Sequence, residues 1–262
     1  MKLTSDQVTT DEVNHWQGLH LLHYDMSSCS QKVRILLGEL GISFTSHHID
    51  LRRGEQKSEW YMGINPNGVV PTLVHDGDVH IESNDIIQYL DDQYSTTTNS
   101  LLPKNSEERK TMQSLLDLED DLHKDLRTVT FTYLAPAIHE VEIEDGSFDY
   151  IDRFNRAFTE LNDKLTHESF LLGPQITLAD ISWFITLHRL RLANYPFERH
   201  PKLLAYYNRL ATRPAFKAQV SSGPALLRIA GYLYRKLRPL KRSLKKDFES
   251  WHQRTSITAG KA

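Results

Sequence analysis

An apolar run at residues 19–24 gives way to Met26-Ser27-Ser28-Cys29-Ser30-Gln31-Lys32-Val33-Arg34, and helical spacing follows at once with Val33, Leu36, Leu37 and Leu40. Three hydroxyls and a thiol therefore meet where a strand ends and a helix begins. Unpaired backbone N–H groups and the positive end of the helix dipole favour an anion at such a place. A thiolate is one anion of the right size. The ordinary alternative is a plain N-cap, the commonest use of serine before a helix.

The elements that follow limit the fold. Gly41 suits the residue after a helix C-terminus, and residues 44–50 read as a second strand, giving a strand–helix–strand unit with parallel strands. After a polar segment at 52–62 comes the turn Asn65-Pro66-Asn67-Gly68. A strand over 69–74, the two-residue turn Asp76-Gly77 and a returning strand at 79–81 make a hairpin. Glu82-Ser83-Asn84 open another helix that turns Ile86, Ile87 and Leu90 inward. This order predicts a small mixed sheet with helices on its faces, a thioredoxin-like layout.

Beyond a Thr-rich linker the pattern is helical only. Residues 107–132, 148–166, 177–192, 201–211 and 214–220 carry apolar positions at three-and-four spacing, with Pro or Gly at several ends. Thr177-Leu178-Ala179-Asp180 reads as a capping box with Asp in place of Glu, a folding element and not a binding site. The expected organisation is a flexible leader at 1–18, a thioredoxin-like domain at 19–94, a linker at 95–105, an all-helical domain at 106–222 and a basic extension at 223–262. The fold class is thus α/β followed by all-α, with an amphipathic helical tail.

Charge sharpens the picture of that tail. The whole chain of 262 residues has a formal charge of −3, yet between Gly223 and Arg254 nine Lys/Arg stand against Asp247 and Glu249. Leu226, Ile229, Leu233, Leu237, Leu240, Leu244, Phe248 and Trp251 recur between them, an amphipathic pattern with a kink expected at Pro239. Three roles stay open: docking on the acidic body, lying on an anionic membrane surface, or contacting another partner, with nucleic acid the least favoured. No run approaches the length of a membrane span and no secretory signal is present, so a cytoplasmic placement, or a membrane-associated one through the tail, is expected. The single cysteine, Cys29, rules out an internal disulfide and fits a reducing compartment. His47-His48 and the other histidines lack metal-ligand spacing, so no metal is expected.

Four motifs in this order resemble a soluble glutathione transferase over roughly residues 19–222: Ser-Ser-Cys-Ser-Gln-Lys-Val-Arg-Ile, Asn-Pro-Asn-Gly-Val-Val-Pro-Thr-Leu, Glu-Ser-Asn-Asp-Ile-Ile-Gln-Tyr-Leu and Leu-Gly-Pro-Gln-Ile-Thr-Leu-Ala-Asp. The first is similar to the zeta class (maleylacetoacetate isomerases) and to the tetrachlorohydroquinone-dehalogenase-like branch. Gln31-Lys32 departs from the zeta pattern. It is closer to plant dehalogenase-like transferases and the ganglioside-induced-differentiation-associated group.

The resemblance implies glutathione as co-substrate and assigns residues by motif. Ser27 matches the serine that activates the sulfur, and Cys29 the cysteine that forms a mixed disulfide in the dehalogenase-like branch. Val70, before a Pro71 that the family holds cis, matches the backbone contact to the cysteinyl part. Glu82 and Ser83 match the grip on the γ-glutamyl end, and Gln56 matches a further glutathione contact. A small electrophile would lie between the first helix and the helical domain, along residues 107–132 and near Tyr206-Tyr207. Arg127, Tyr133, His123 and Arg191 are candidate contacts there, with an exposed or core role as the ordinary alternative for each. Relatives are usually homodimers.

The magnitudes allow a serine to suffice. A thiol of pKa near 8.5 is only about 3% ionised at pH 7, and lowering that pKa by two units takes about 2.7 kcal/mol. One charge-assisted hydrogen bond supplies roughly 1.5–3 kcal/mol and a helix N-terminus about 0.3–1 more. The leading expectation is therefore transfer of glutathione to an electrophile. Isomerisation, reductive dehalogenation or thiol transfer through Cys29 is the alternative chemistry, and a glutathione-binding sensor or membrane-recruitment module the alternative of another class.

Overall fold

The computed structural model describes residues 1–96, 98–134, 148–165, 167–221 and 243–259. The chain divides into two compact units. One comprises Met1–Arg109 with Arg213–Ser221; the other comprises Lys110–Thr212 and the described tail residues.

The first unit is built on a four-stranded sheet of order β2-β1-β3-β4. Strand β1 (Leu19–His23) runs parallel to β2 (Thr45–His48) and antiparallel to β3 (Thr72–His75), which pairs antiparallel with β4 (Asp78–His80). Leu21, Leu22, Leu73 and Val74 are fully buried, as expected for strands covered on both faces. Helix α1 (Ser28–Leu40) links the two parallel strands and ends at Gly41, whose φ of 68° is the left-handed conformation glycine tolerates best. Asp76 and Gly77 both have positive φ, as a type I′ hairpin turn requires. Within the polar segment the short helix α2 (Glu59–Met62) forms, capped by the Ser58 hydroxyl, which accepts from the Tyr61 amide. Helix α3 (Ser83–Tyr94) follows β4.

Residues 1–18 correct the expectation of a flexible leader. The Leu3 amide donates to the Val79 carbonyl at 2.8 Å, extending the sheet edge beside β4. The Thr9 and Thr10 amides donate to the Gly63 carbonyl, and residues 11–15 form a 3-10 turn. Leu3, Val8 and Val13 join one apolar cluster with Leu22, Tyr61, Ile64 and Val74. Three apolar residues spaced five apart match neither a helical nor a strand period, so only the tertiary environment shows what they bury.

The second unit is helical. Helix α4 (Ser106–Asp121) is followed by α5 (His123–Val129) and a π-helical turn over Thr130–Leu134, where a single helix over 107–132 was expected. The Thr128 and Thr130 hydroxyls donate to carbonyls four residues back, a contact that bends helices. Helices α6 (Asp149–Lys164), α7 (Leu178–Leu192) and α8 (Pro201–Ala211) follow. α7 is the hub: Ile181, Trp183, Phe184, Ile185, Leu187 and Leu190 are fully buried. The Asp180 carboxylate accepts from the Thr177 amide and hydroxyl, the Leu171 amide and the Tyr206 hydroxyl, so the capping box also ties α7 to α8. Glu119 of α4 is buried and accepts from the Ser182 and Thr186 hydroxyls of α7.

Helix α9 (Pro214–Ser221), counted with the helical domain in the sequence, belongs to the first unit and packs on α1. Gly38 permits this approach, since a Cβ there would lie 2.9 Å from the Ala215 Cβ. Arg213 pairs with Glu39. Helix α10 (Leu244–Ala259) buries Leu244, Phe248 and Trp251 on the helical unit, so this part of the tail docks on the body. The expected amphipathic stretch through Leu226, Ile229, Leu233, Leu237 and Leu240, with its kink at Pro239, lies outside the described residues. No helix among the described residues is long and apolar enough to cross a membrane.

Candidate active site

Ser27 is the N-cap of α1, and its Oγ accepts from the Ser30 amide at 3.2 Å. The capping and catalytic readings are therefore compatible: capping uses a lone pair of the oxygen, whereas activation uses its proton. Ser27, Ser28 and Cys29 are half-buried, whereas Ser30 is buried with its hydroxyl near the Tyr24 amide. No acidic residue occupies the first turn of α1, so nothing there opposes an anion.

The turn before Ser27 is held from below by Arg34. Its Nη2 donates to the Asp25 carbonyl at 2.9 Å, and its Nη1 to His23 Nδ1 at 2.8 Å and more weakly to the Tyr24 carbonyl at 3.4 Å. A guanidinium only donates, so His23 Nδ1 is the bare nitrogen and Nε2–H donates to the Ser46 hydroxyl at 2.7 Å. Burial, then the Arg34 charge, pull the His23 pKa down to about 4, consistent with a neutral ring. Burial also lowers the Arg34 pKa from its ordinary value.

The second arm of the site is the turn at 65–72. The Val70–Pro71 peptide is cis and both residues are buried. Asn65, fully buried, donates through Nδ2 to the Val69 carbonyl and the Thr72 hydroxyl, both at 2.9 Å, while its Oδ1 accepts from the Asn67 amide. The Tyr61 hydroxyl donates to the Val69 carbonyl at 2.7 Å and lies 2.8 Å from Thr72 Oγ1. Burial raises the Tyr61 pKa well above that of a free phenol, so it stays protonated.

The third arm is the start of α3. Glu82 has φ of 66° and ψ of 116°, a conformation costing a non-glycine residue about 1–3 kcal/mol and typical of functional turns. Its Oε1 accepts from Asn67 Nδ2 at 3.1 Å, linking this arm to the second. It gives α3 no side-chain cap, and the one acid in the first turn, Asp85, is paired with the N-terminal ammonium at 2.8 Å, so the Ser83 end of this 12-residue helix can still take an anion. Gln56 lies on a 3-10 turn packed against Gly68, where a Cβ would fall 2.6 Å from Lys57 Nζ and 3.0 Å from the Gln56 carbonyl. The Gln56 Oε1 atom is buried without a hydrogen-bond partner, an acceptor suited to a ligand N–H.

All the motif-assigned residues Ser27, Cys29, Gln56, Val70, Pro71, Glu82 and Ser83 therefore sit in the first unit, at helix starts and turns around the sheet. Sequence reasoning missed Arg34, His23, Tyr61 and Asn65 as their supports. Asn65 and Arg34 stand inside these motifs, Asn65 with partners two to seven residues on and Arg34 with partners nine to 185 residues away. In the helical unit, Tyr133 is buried against Tyr150 and Asp247, Arg191 lies over the Tyr207 ring, Arg127 is exposed and His123 is half-buried.

Residues 26–93 match the family model "Glutathione S-transferase, N-terminal domain", and residues 134–209 match "Glutathione S-transferase, C-terminal domain". Glutathione S-transferase Z2 of Arabidopsis thaliana is 30% identical over 210 residues, covering 77% of this chain and 90% of that protein. The chain belongs to the glutathione S-transferase family. A maleylacetoacetate isomerase of Aspergillus fumigatus is 28% identical over 206 residues, covering 75% of this chain and 87% of that protein. The glutathione transferase URE2P8 of Phanerochaete chrysosporium, solved with oxidized glutathione, superposes with a TM-score of 0.69 at 26% identity, covering 82% of this chain and 98% of that one. Relatives of several subclasses match at 27–30% identity, so the family is settled and the subclass left open. As in the rest of the family, glutathione is the co-substrate. The orphaned Gln56 acceptor and the uncapped start of α3 suit its amide and carboxylate groups.

Proposed function

We propose that the chain transfers glutathione to a small electrophile, with the Ser27 hydroxyl donating to the sulfur and favouring its thiolate form. One observation carries this reading: Ser27 Oγ caps α1 with a lone pair and keeps its proton for an outside acceptor, ahead of a first helical turn without acidic residues. Glutathione supplies the nucleophilic sulfur, which forms the new C–S bond as the leaving group departs with its electron pair. Val70 offers backbone groups to the cysteinyl part, Ser83 and the α3 N-terminus take the γ-glutamyl carboxylate, Glu82 takes its ammonium, and Gln56 accepts an amide proton.

Replacing Ser27 by Ala tests this. Loss of one charge-assisted hydrogen bond should lower kcat/KM about 10- to 100-fold while glutathione affinity changes little. Unchanged turnover and an unshifted ionisation of bound glutathione would sink the serine reading. They would leave chemistry through Cys29 if turnover is substantial, and the sensor or recruitment module if it is negligible.

A second chemistry, isomerisation or thiol transfer through Cys29, is favoured by its half-buried place in the first turn of α1 and by the isomerase relatives. Glutathione disulfide should then add one glutathionyl group to Cys29, with one reduced glutathione released. No adduct, together with full activity in Cys29→Ser, would remove it. The family also supports a cytoplasmic homodimer, checked by light scattering. A membrane role for the basic residues at 223–242 is checked by liposome flotation of the full chain against one ending at Ser222.

A further inference from the structure

The contacts of Arg34 extend beyond the site just described. Its Nε donates to Gln219 Oε1 at 2.8 Å, a residue of α9 that is 185 positions away in sequence. The Gln219 main-chain carbonyl accepts from Gln31 Nε2 at 2.8 Å, so one residue of α9 fastens both Gln31 and Arg34, three apart on α1. We propose that Arg34 and Gln219 form a positioning couple that sets the place of the Ser27 turn, so that α9 governs the alignment of the serine hydroxyl.

Three observations carry this. First, between Tyr24, whose ring packs against the sheet core, and Ser27 the chain runs through two exposed residues, Asp25 and Met26. Second, its two carbonyls at Tyr24 and Asp25 are gripped by one planar guanidinium whose side chain is only 12% exposed. The Tyr24 carbonyl also accepts from the Ser27 amide at 3.0 Å, so a single acceptor separates the guanidinium from the serine backbone. Third, α9 is a firm brace: Phe216 is fully buried, Arg213 pairs with Glu39, and Ala215 meets Gly38 at the limit of close packing. A rigid fork held at its far end by Gln219 fixes its near end more tightly than a flexible ammonium could. Displacement of a reacting group by about 1 Å can cost on the order of a hundredfold in rate.

The inference rests on the serine reading, so Ser27→Ala is measured beside Gln219→Leu, Gln219→Glu, Arg34→Lys and the Gln219→Leu/Arg34→Lys double variant. The readouts are kcat, KM for glutathione, the thiol ionisation of bound glutathione by ultraviolet absorbance, and the melting temperature. Gln219→Leu should lower kcat by roughly three- to thirtyfold and shift the bound thiol toward its protonated form, with KM changed less than about twofold. Gln219→Glu, which still offers Arg34 an acceptor, should retain most of the rate. The double variant should be no worse than Arg34→Lys alone, because both changes break one linkage. If Gln219→Leu does not fold, Arg34→Lys against Gln219→Glu carries the same comparison. Wild-type kcat and ionisation in Gln219→Leu, or additive losses in the double variant, would overturn the couple. If Ser27→Ala itself leaves the ionisation unchanged, the serine reading fails instead, and the two failures are told apart.

Discussion

The Tyr133 hydroxyl donates to the Asp247 carboxylate at 2.6 Å, joining the π-helical turn after α5 to a tail helix 114 residues later. The same hydroxyl lies 2.5 Å from that of Tyr150, and burial raises the Tyr133 pKa far above that of a free phenol. Around this bond α10 buries Leu244, Phe248 and Trp251, and Arg254 lies over the Phe148 ring. Tyr133→Phe should therefore destabilise the helical unit by about 1–3 kcal/mol. Calorimetry should show the melting temperature fall by several degrees, and a chain ending at residue 243 should lose at least as much.

Asn65 is the fully buried centre of the turn carrying Val70. Asn65→Asp keeps the shape but turns two donors into an acceptor facing the Val69 carbonyl and Thr72 Oγ1. We expect a loss of about 1–3 kcal/mol in stability and a rise of roughly tenfold in KM for glutathione. Titration calorimetry with glutathione checks the second effect. Tyr61→Phe, which leaves Asn65 bonded to both acceptors, should do less harm.

Asp180 holds two amides and two hydroxyls in full burial, and that burial raises its pKa against the lowering by its hydrogen bonds. Asp180→Ala would strand four donors. A cost of about 3–5 kcal/mol is expected, enough to leave much of the helical unit unfolded near 37 °C. Limited proteolysis within residues 110–212 would reveal it, while Thr177→Ser should be nearly neutral.

His23 contributes a pH dependence whose sign is set by its lowered pKa. Arg34, Asp25, His47 and His48 are the charged and titratable groups that act on it. Between its ordinary value of 6.5 and about 4, the unfolded chain binds a proton that the folded form excludes. Stability is therefore complete above pH 6.5 and falls as the pH drops toward 4, by up to about 3 kcal/mol from this residue. His80 and His188, whose pKa values are also near 4, act in the same direction. Urea unfolding of His23→Gln at pH 7 and pH 5 should show a smaller difference between the two conditions than the parent.

Much of this architecture was legible along the chain because its signals are local. Gly41, Asp76-Gly77 and Thr177–Asp180 announce their backbone conformations through their own side chains, and α8 begins at Pro201 as its pattern requires. Leu244, Phe248 and Trp251 were recognisable as one face before their partners were known. Of the candidate-site residues only Ser27 stood out locally, as a helix cap, whereas Val70, Pro71, Glu82 and Ser83 came from the resemblance to family motifs.

What the sequence by itself determined is therefore the order of elements, the family and the chemical groups available at the start of α1. The tertiary structure decided which distant groups hold them. It packed Leu3, Val8 and Val13 into the sheet core, moved α9 into the first unit and gave Arg34 its Gln219 acceptor. The physical reason is range. Caps, turns and helical faces depend on neighbours within a few residues, whereas a buried guanidinium or amide is satisfied by whatever acceptor the fold brings near, and no local pattern records that choice.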